Sequence, residues 1–130
     1  MTDLDPERLA AASLTPADAS TRALSADELD RLRVGLDAAW RLEDGRLVRE
    51  FRFPTFAAAF ALATRVALLG EGANHHPTLE ISWGRLVVTW TTDAIGGLSA
   101  NDVIMAAKVD RVVSRGLALM DGRASPAIDR

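Results

Sequence analysis

The middle of the chain shows a clear alternation of apolar and polar residues, which predicts two β-hairpins. In the first, Trp40 and Leu42 alternate toward Asp44-Gly45, a dipeptide that favours a two-residue turn. The return strand ends at Pro54, because proline has no N–H to donate to a neighbouring strand. The residues of this strand divide between two faces, with Leu47, Phe51 and Phe53 on one and Val48, Glu50 and Arg52 on the other.

The second hairpin shows the same alternation on both sides of Gly84-Arg85, which can form a turn because glycine accepts a positive φ. After its second strand, the paired glycines Gly96-Gly97 allow the backbone to bend sharply before the next helix. Loops therefore bracket this hairpin. Its alternating apolar residues are Leu79, Ile81 and Trp83, followed by Leu86, Val88 and Trp90.

Apolar residues at helical spacing predict three helices around the hairpins. The first is short and amphipathic and begins with a capping box at Ser25 and Glu28. The second begins at the N-cap Thr55 and stops at Gly70 and Gly72. Its apolar face runs through Phe56, Phe60, Ala63 and Ala67 and is widened by Ala59, Leu62, Val66 and Leu69.

The third helix is predicted from Ser99 to about Leu119 and begins with a variant capping box that uses Asp102. Its apolar residues cover an arc of about 160°, wider than the ~100° stripe that a helix needs to lie on one sheet. This excess predicts a second buried contact, most simply with another subunit. The residues of the arc are Met105, Ala106, Val109, Val112, Val113, Leu117 and Leu119.

The order helix, hairpin, helix, hairpin, helix predicts an α+β domain. Because the strands of both hairpins have one apolar face, we expect a four-stranded antiparallel sheet with three helices packed on one face. This domain is expected over residues 23–120. Residues 1–22 contain few large apolar side chains and are predicted to form a flexible N-terminal tail, and residues 121–130 a flexible C-terminal tail.

Composition and charge exclude several classes of function. The 130 residues fit a single domain, and the lack of cysteine excludes disulfides, thiolate catalysis and cysteine-based metal sites. A net charge of -3 gives no basic surface for nucleic acid or an anionic membrane. The acidic N-terminus is unlike a signal peptide, and the apolar run 56–69 is too short and alanine-rich to span a bilayer. We therefore expect a soluble, cytoplasmic protein.

The two histidines of the chain, His75 and His76, are neighbours and precede Pro77. Because histidine titrates near neutral pH, this segment is the first candidate for proton transfer. Glu71 is expected in the loop just before it. The alternative for such a pair is a solvated or capping role. A metal site is disfavoured, because neighbours in an extended segment point to opposite sides and no third histidine or cysteine exists.

The histidine pair belongs to a longer set of motifs. These are Glu71-Gly72-Ala73-Asn74-His75-His76-Pro77, the aromatic Trp83, Thr91-Thr92, and Gly96-Gly97-Leu98-Ser99-Ala100-Asn101-Asp102. Upstream, the set continues with Leu24-Ser25-Ala26, Trp40, Phe51-Arg52-Phe53 and Phe56, so it covers residues 24–119. In this combination and register the chain resembles the pterin-4a-carbinolamine dehydratases.

The resemblance implies an activity that the residues alone leave open. Enzymes of this family dehydrate 4a-hydroxytetrahydropterins to quinonoid dihydropterins and so recycle the tetrahydrobiopterin-type cofactor of aromatic amino acid hydroxylases. They use neither a metal nor an organic cofactor. The resemblance also implies a homodimer or homotetramer, with the tetramer formed through the last helix. The pterin would lie against the His-His-Pro segment and the loop after the fourth strand.

By the same resemblance, His75 is expected to act as a general acid or base, and His76 to position the substrate and share the proton transfer. Glu71 could orient a histidine and favour its charged form. Asp102 could serve near the site, but the capping box explains it without catalysis, and we expect the cap to be its main role. The substrate-binding positions carried over from the family are Pro77, Thr92, Ala94 and Ile95.

One departure from the family pattern concerns Asp93, which stands where a third histidine is usual. An ordinary aspartate is ionised at neutral pH, so it could act as a base or orient His75 but would be a poor acid. Relatives without a full site are non-catalytic scaffolds, including Rubisco assembly factors of carboxysome-containing bacteria and plastids. A scaffold of this kind with a large protein partner is therefore the alternative to the enzyme.

Overall fold

A computed structural model describes the backbone of residues 5–124 and the side chains of residues 5–116. It contains one four-stranded antiparallel sheet with the strand order β1-β2-β4-β3. Two long helices, α3 and α4, pack against the sheet, which confirms the predicted α+β class. The elements are α1 (Pro6–Ala11), α2 (Ala26–Arg33), β1 (Arg41–Glu43), β2 (Arg46–Arg52), α3 (Phe56–Ala73), β3 (Thr78–Ser82), β4 (Arg85–Trp90) and α4 (Ala100–Ala124).

Both predicted hairpins are present, but the second turn lies one residue earlier than predicted. In the first turn, Asp44 and Gly45 both have a positive φ, of 49° and 73°. In the second, Ser82 pairs with Arg85, so the two turn residues are Trp83 and Gly84. Arg85 is therefore the first residue of β4. The reason is that the positive φ of 66° falls on Gly84 in the second position of the turn.

β2 and β4 form the centre of the sheet, and their inward-facing residues build the core. Leu47 pairs with Trp90 and Phe51 pairs with Leu86, and all four side chains are buried. The burial of Leu47, Phe51 and Phe53 on one face confirms the division of β2 predicted from alternation. The opposite face of the sheet carries mainly charged and polar side chains.

A cluster around Asp110 fastens α4 to the sheet. Its carboxylate accepts hydrogen bonds from Arg49 Nη1 at 2.7 Å, Trp40 Nε1 at 2.7 Å and the Asp37 amide at 2.8 Å. Burial raises the pKa of the Asp110 carboxyl, and these donors oppose the rise. Arg49 points inward from β2 and lies beneath α4. The Asp110 carboxylate therefore supplies the opposite charge that a largely buried guanidinium needs.

α3 is longer at its C-terminal end than the sequence predicted. The helix continues through Gly70 and Gly72 to Ala73, and Asn74 ends it in the left-handed conformation, with φ 53° and ψ 42°. Asparagine adopts this conformation more readily than most residues, so Asn74 rather than the glycines stops the helix. Glu71 therefore lies on the last turn of α3 and not in a loop.

The buried stripe of α3 is narrower than predicted. Phe56 and Phe60 lie beyond its edge, 47% and 53% exposed, with their rings stacked 6.2 Å apart. The buried positions already fill the ~100° that one sheet contact requires, so no room remains for the two rings. By length and composition α3 is apolar enough to cross a membrane, which corrects the estimate from residues 56–69. The residues of α3 that are buried are Ala59, Leu62, Ala63, Val66 and Gly70.

The N-terminal segment is ordered where the sequence predicted a tail. Residues 6–11 form α1, which packs on α4 and buries Leu9 and Ala10. Lys108 Nζ on α4 also donates to the Ala10 carbonyl at 2.6 Å. Few apolar residues are enough to bury this segment, because Leu9 and Ala10 both pack against the apolar face of α4. Residues 1–4 and 125–130 lie outside the described part of the chain, and α4 continues into the predicted C-terminal tail.

The wide apolar arc of α4 is explained within the chain as far as residue 109. Met105, Ala106 and Val109 are fully buried, with the sheet and α3 on one side and α1 on the other. α1 therefore provides the second contact that the sequence analysis assigned to another subunit. The side chains of Leu117 and Leu119 lie outside the described residues.

We expect Leu9→Ala to lower the free energy of unfolding by about 2–4 kcal/mol, because it leaves a cavity between α1 and α4. Urea denaturation followed by circular dichroism measures this change. Leu42→Ala, at a position 44% exposed, is the matched control and should cost much less. Equal effects of the two substitutions would show that α1 does not pack on α4 in solution.

Candidate functional site

The His-His-Pro segment folds back against the end of α3, and Gly70 makes this possible. The His75 amide donates to the Gly70 carbonyl at 3.0 Å. A Cβ atom on Gly70 would come within 2.7 Å of Pro77 Cδ and 3.0 Å of the His75 carbonyl oxygen, so only glycine allows this approach. The tight reversal buries His75 and leaves His76 exposed.

His75 is held between a carboxylate and an aromatic ring. Its Nε2 lies 2.6 Å from Asp102 Oδ1, and its ring stacks on Trp90 with centroids 5.9 Å apart and planes inclined by 11°. Because a carboxylate accepts, Nε2 is the nitrogen that carries the hydrogen in this contact. Nδ1 is then the nitrogen that can take up and release a proton.

Asp102 is fully buried and serves both the helix and the histidine. Its Oδ2 accepts from Thr92 Oγ1 at 2.6 Å and from the Ser99 amide at 3.0 Å. The second of these bonds is half of the predicted capping box. The other half is replaced, because the Ser99 hydroxyl lies 2.7 Å from Thr92 Oγ1 instead of bonding the Asp102 amide. The expectation that capping is the main role of Asp102 is thus incomplete.

The second histidine has its own carboxylate at the surface. His76 Nε2 lies 2.9 Å from Glu71 Oε1, which is presented by the last turn of α3. The predicted pairing of Glu71 with a histidine is therefore present, although Glu71 is helical. Both side chains are exposed, and such a pair is worth about 0–1 kcal/mol. The contact orients the imidazole more than it stabilises the fold.

The loop after β4 presents the remaining predicted residues. Asp93–Ile95 form a single 3₁₀ turn, closed by a bridge between Thr92 and Gly97. Asp93 and Ala94 are exposed, and Ile95 is half-buried. No hydrogen bond joins the Asp93 carboxylate to a residue in the described part of the chain. Asp102, not Asp93, is the carboxylate that orients His75.

Two contributors to the site were not singled out for it from the sequence. Trp90 ends the inward alternation of β4, and this position places its ring beneath His75. Ser99 joins Thr92 to the start of α4. The signal for Trp90 was the alternation itself, which showed an inward tryptophan at the strand end nearest the candidate loop.

A cavity of about 190 Å³ opens beside His75. One side is formed by the end of α3 and the start of α4, through Ala73, Asn74 and Asn101. The other is formed by residues 14–17. Among the residues that the structure describes, no three His, Asp, Glu or Cys side chains cluster closely enough to hold a metal ion. Of the predicted site residues, His75 lines this hollow, with Asp102 bonded to its ring, whereas His76, Glu71, Pro77 and the 3₁₀ turn are not among the lining residues.

Comparison with known proteins identifies the family. A sequence profile described as pterin 4 alpha carbinolamine dehydratase matches residues 22–112. The chain belongs to this family. A Paracoccus denitrificans protein, named provisionally as a pterin-4-alpha-carbinolamine dehydratase, is 42% identical over 112 residues, which cover 85% of this chain and 96% of the relative. A Chlorobium limicola protein with the same provisional name is 49% identical over 89 residues, covering 65% and 78%.

A solved structure supports the same family assignment. The crystal structure of a transcriptional coactivator/pterin dehydratase from Brucella melitensis matches with a TM-score of 0.65 and 29% identity, covering 70% of this chain and 98% of that one. The resemblance to the carbinolamine dehydratases is thereby confirmed, and the scaffold alternative gains no support. The matched range 22–112 contains every predicted site residue but excludes α1 and residues 14–17.

We expect Asp102→Asn to lower the free energy of unfolding by about 1–3 kcal/mol, because an amide cannot accept all the hydrogen bonds that the buried carboxylate receives. It should also alter the tautomer of His75, which imidazole nitrogen shifts in an NMR spectrum report. Asp93→Asn is the matched control and should change neither quantity. Unchanged His75 shifts in Asp102→Asn would contradict the contact.

Proposed function

We propose that this dehydratase family member converts 4a-hydroxytetrahydropterin to quinonoid dihydropterin by histidine acid/base catalysis. The observation that carries the proposal is the 2.6 Å contact between His75 Nε2 and Asp102 Oδ1 beside an open cavity. A buried carboxylate stabilises the imidazolium that forms when Nδ1 takes up a proton. Nδ1 is then poised to pass that proton to a substrate.

The reaction requires two proton movements. The C4a–O bond breaks as the leaving hydroxyl accepts a proton, a proton leaves the ring nitrogen, and water is released. His75 suits the first movement because its charged form is supported by Asp102. His76, oriented by Glu71, would hold the substrate and share the transfer. An imidazole with a pKa near the working pH performs such transfers well and contributes about 10²–10⁴-fold.

Asp93 can serve in this scheme as the base. Its exposed carboxylate would accept the ring-nitrogen proton, and the acid role stays with the histidines. Thr92, Ala94 and Ile95 of the same turn, with Pro77, would hold the edge of the ring. We place the reaction in the cytoplasm, where it would serve tetrahydrobiopterin recycling. A cysteine-free chain is compatible with this reducing compartment.

We expect His75→Gln to lower kcat/KM for the dehydration by about 10²–10⁴-fold, because glutamine cannot transfer a proton near neutral pH. The assay follows disappearance of the 4a-hydroxy intermediate generated by an aromatic amino acid hydroxylase. Thr64→Ala, at a position whose hydroxyl donates to the Phe60 carbonyl within α3, is the control and should retain full activity.

Asp93→His tests the departure from the family pattern in the same assay. A histidine at this position can both accept and donate, so the variant should match or exceed the wild type. A wild-type protein that leaves the uncatalysed rate unchanged would overturn the proposed function.

We further propose that the chain forms a homo-oligomer through α3. From Phe56 to Gly70 the helix contains one charged residue, Arg65. Its outer side exposes Phe60 and Leu68 by 53% and 66%. An exposed helix face that is mainly apolar is typical of an interface, and a second copy offers the same face. α3 is a better candidate than the first turns of α4, which α1 already covers.

We expect Phe60→Glu to reduce the molar mass measured by light scattering after gel filtration, because it places a charge in the proposed interface. Ser114→Glu, on an exposed position of α4, should leave the mass unchanged. The interface proposal fails if the wild type is monomeric at tens of micromolar, or if Phe60→Glu has the wild-type mass.

A further inference from the structure

Residues 14–17, which we call the N-terminal strap, run along the cavity beside His75. The strap follows α1 and lies outside the range that matches the family. Leu14, Pro16 and Ala17 bring apolar groups to the cavity, and His75 lies among the residues opposite. His75 is only 9% exposed, and it is one of the residues that line this cavity. The strap is therefore beside the route by which a molecule would reach that ring.

The strap is held by a paired contact with Asn101. The Thr15 amide donates to Asn101 Oδ1 at 3.1 Å, and Asn101 Nδ2 donates to the Thr15 carbonyl at 2.7 Å. Asn101 itself is buried in the first turn of α4. Upstream, the contact between Lys108 and Ala10 fixes α1 to the same helix. The chain is thus attached to α4 on both sides of Leu14, at Ala10 in α1 and at Thr15 in the strap.

The size of the cavity decides how much of a substrate it can hold. Its volume of about 190 Å³ is below the ~300–1,000 Å³ typical of sites that enclose a drug-sized ligand. A bicyclic ring with a side chain would therefore enter only in part. The part next to His75 would contact the strap, and the rest would lie outside the cavity.

We propose that the N-terminal strap is the outer wall of the substrate cavity and that Asn101 is the positioning residue that holds this wall in place. The inference rests on the proposed function and adds to it a substrate contact outside the family-matched range. Because the wall contacts the substrate without exchanging a proton, its loss weakens binding of substrate and transition state equally. Such a loss raises KM and leaves kcat nearly unchanged.

The test compares wild type with Asn101→Ala, which removes both bonds to Thr15. Diethyl pyrocarbonate modification, quantified by mass spectrometry, reports the accessibility of His75, with the exposed His76 as an internal reference. We expect the His75 to His76 modification ratio to rise on the order of tenfold, as expected from two lost hydrogen bonds. The Kd for 7,8-dihydrobiopterin and the KM should rise by a similar factor, with kcat within about twofold.

Two further variants keep the result interpretable. Thr15→Pro removes the amide donor and fixes φ at this position without changing a residue of α4, and it should change the same quantities in the same direction. Ser114→Ala, on α4 but away from the strap, should match the wild type. Circular dichroism and thermal unfolding establish that each variant is folded.

The outcomes separate this inference from the proposed function. The proposed wall is overturned if folded Asn101→Ala and Thr15→Pro proteins keep the wild-type modification ratio. It is also overturned if the ratio rises but the Kd is unchanged. A wild type that binds 7,8-dihydrobiopterin in a strap-dependent way but does not dehydrate the 4a-hydroxy compound supports the wall and overturns the function. A wild type that neither binds nor reacts overturns both.

Discussion

The buried Asp102 carboxylate joins three parts of the chain: the segment after α3, the loop after β4 and the start of α4. One oxygen bonds the histidine that follows α3, and the other bonds Thr92 after β4 and the amide that starts α4. Without the carboxylate, the His75 ring nitrogen and the Ser99 amide would lose these bonds, each at a cost of about 1–3 kcal/mol. A network of this kind stabilises the protein only when it is complete. The atoms that place the reactive imidazole therefore also secure the start of the longest helix.

Features decided by neighbouring residues were readable from the sequence. Asp44-Gly45 forms its turn and the Ser25 capping box forms at α2, because both depend on a few adjacent residues. The end of α3 was misplaced because Gly70 and Asn74 are both acceptable stop signals, and only the fold shows which one adopts the left-handed conformation. α1 was missed because the burial of Leu9 depends on a helix about a hundred residues further along the chain.

The candidate site divides in the same way. The histidine pair and the carboxylate beside it could be predicted, because residue chemistry and spacing identify them. The role of each carboxylate could not be predicted. Asp102 was expected mainly to cap the helix, and Asp93 to act as a base or to orient His75. The structure gives Asp102 both the cap and the contact with His75 and leaves Asp93 exposed. The difference lies in the direction of two side chains, which a spacing argument does not determine.

Gly70 carries no functional group, yet the placement of His75 depends on it. The reversal of the chain brings Pro77 and the His75 carbonyl so close to this residue that one added carbon atom would collide with both. A methyl group there would push the reactive segment outward and separate the imidazole from its buried carboxylate. A ranking of positions by the reactivity of their side chains would overlook Gly70, although the placement of the reactive imidazole depends on it.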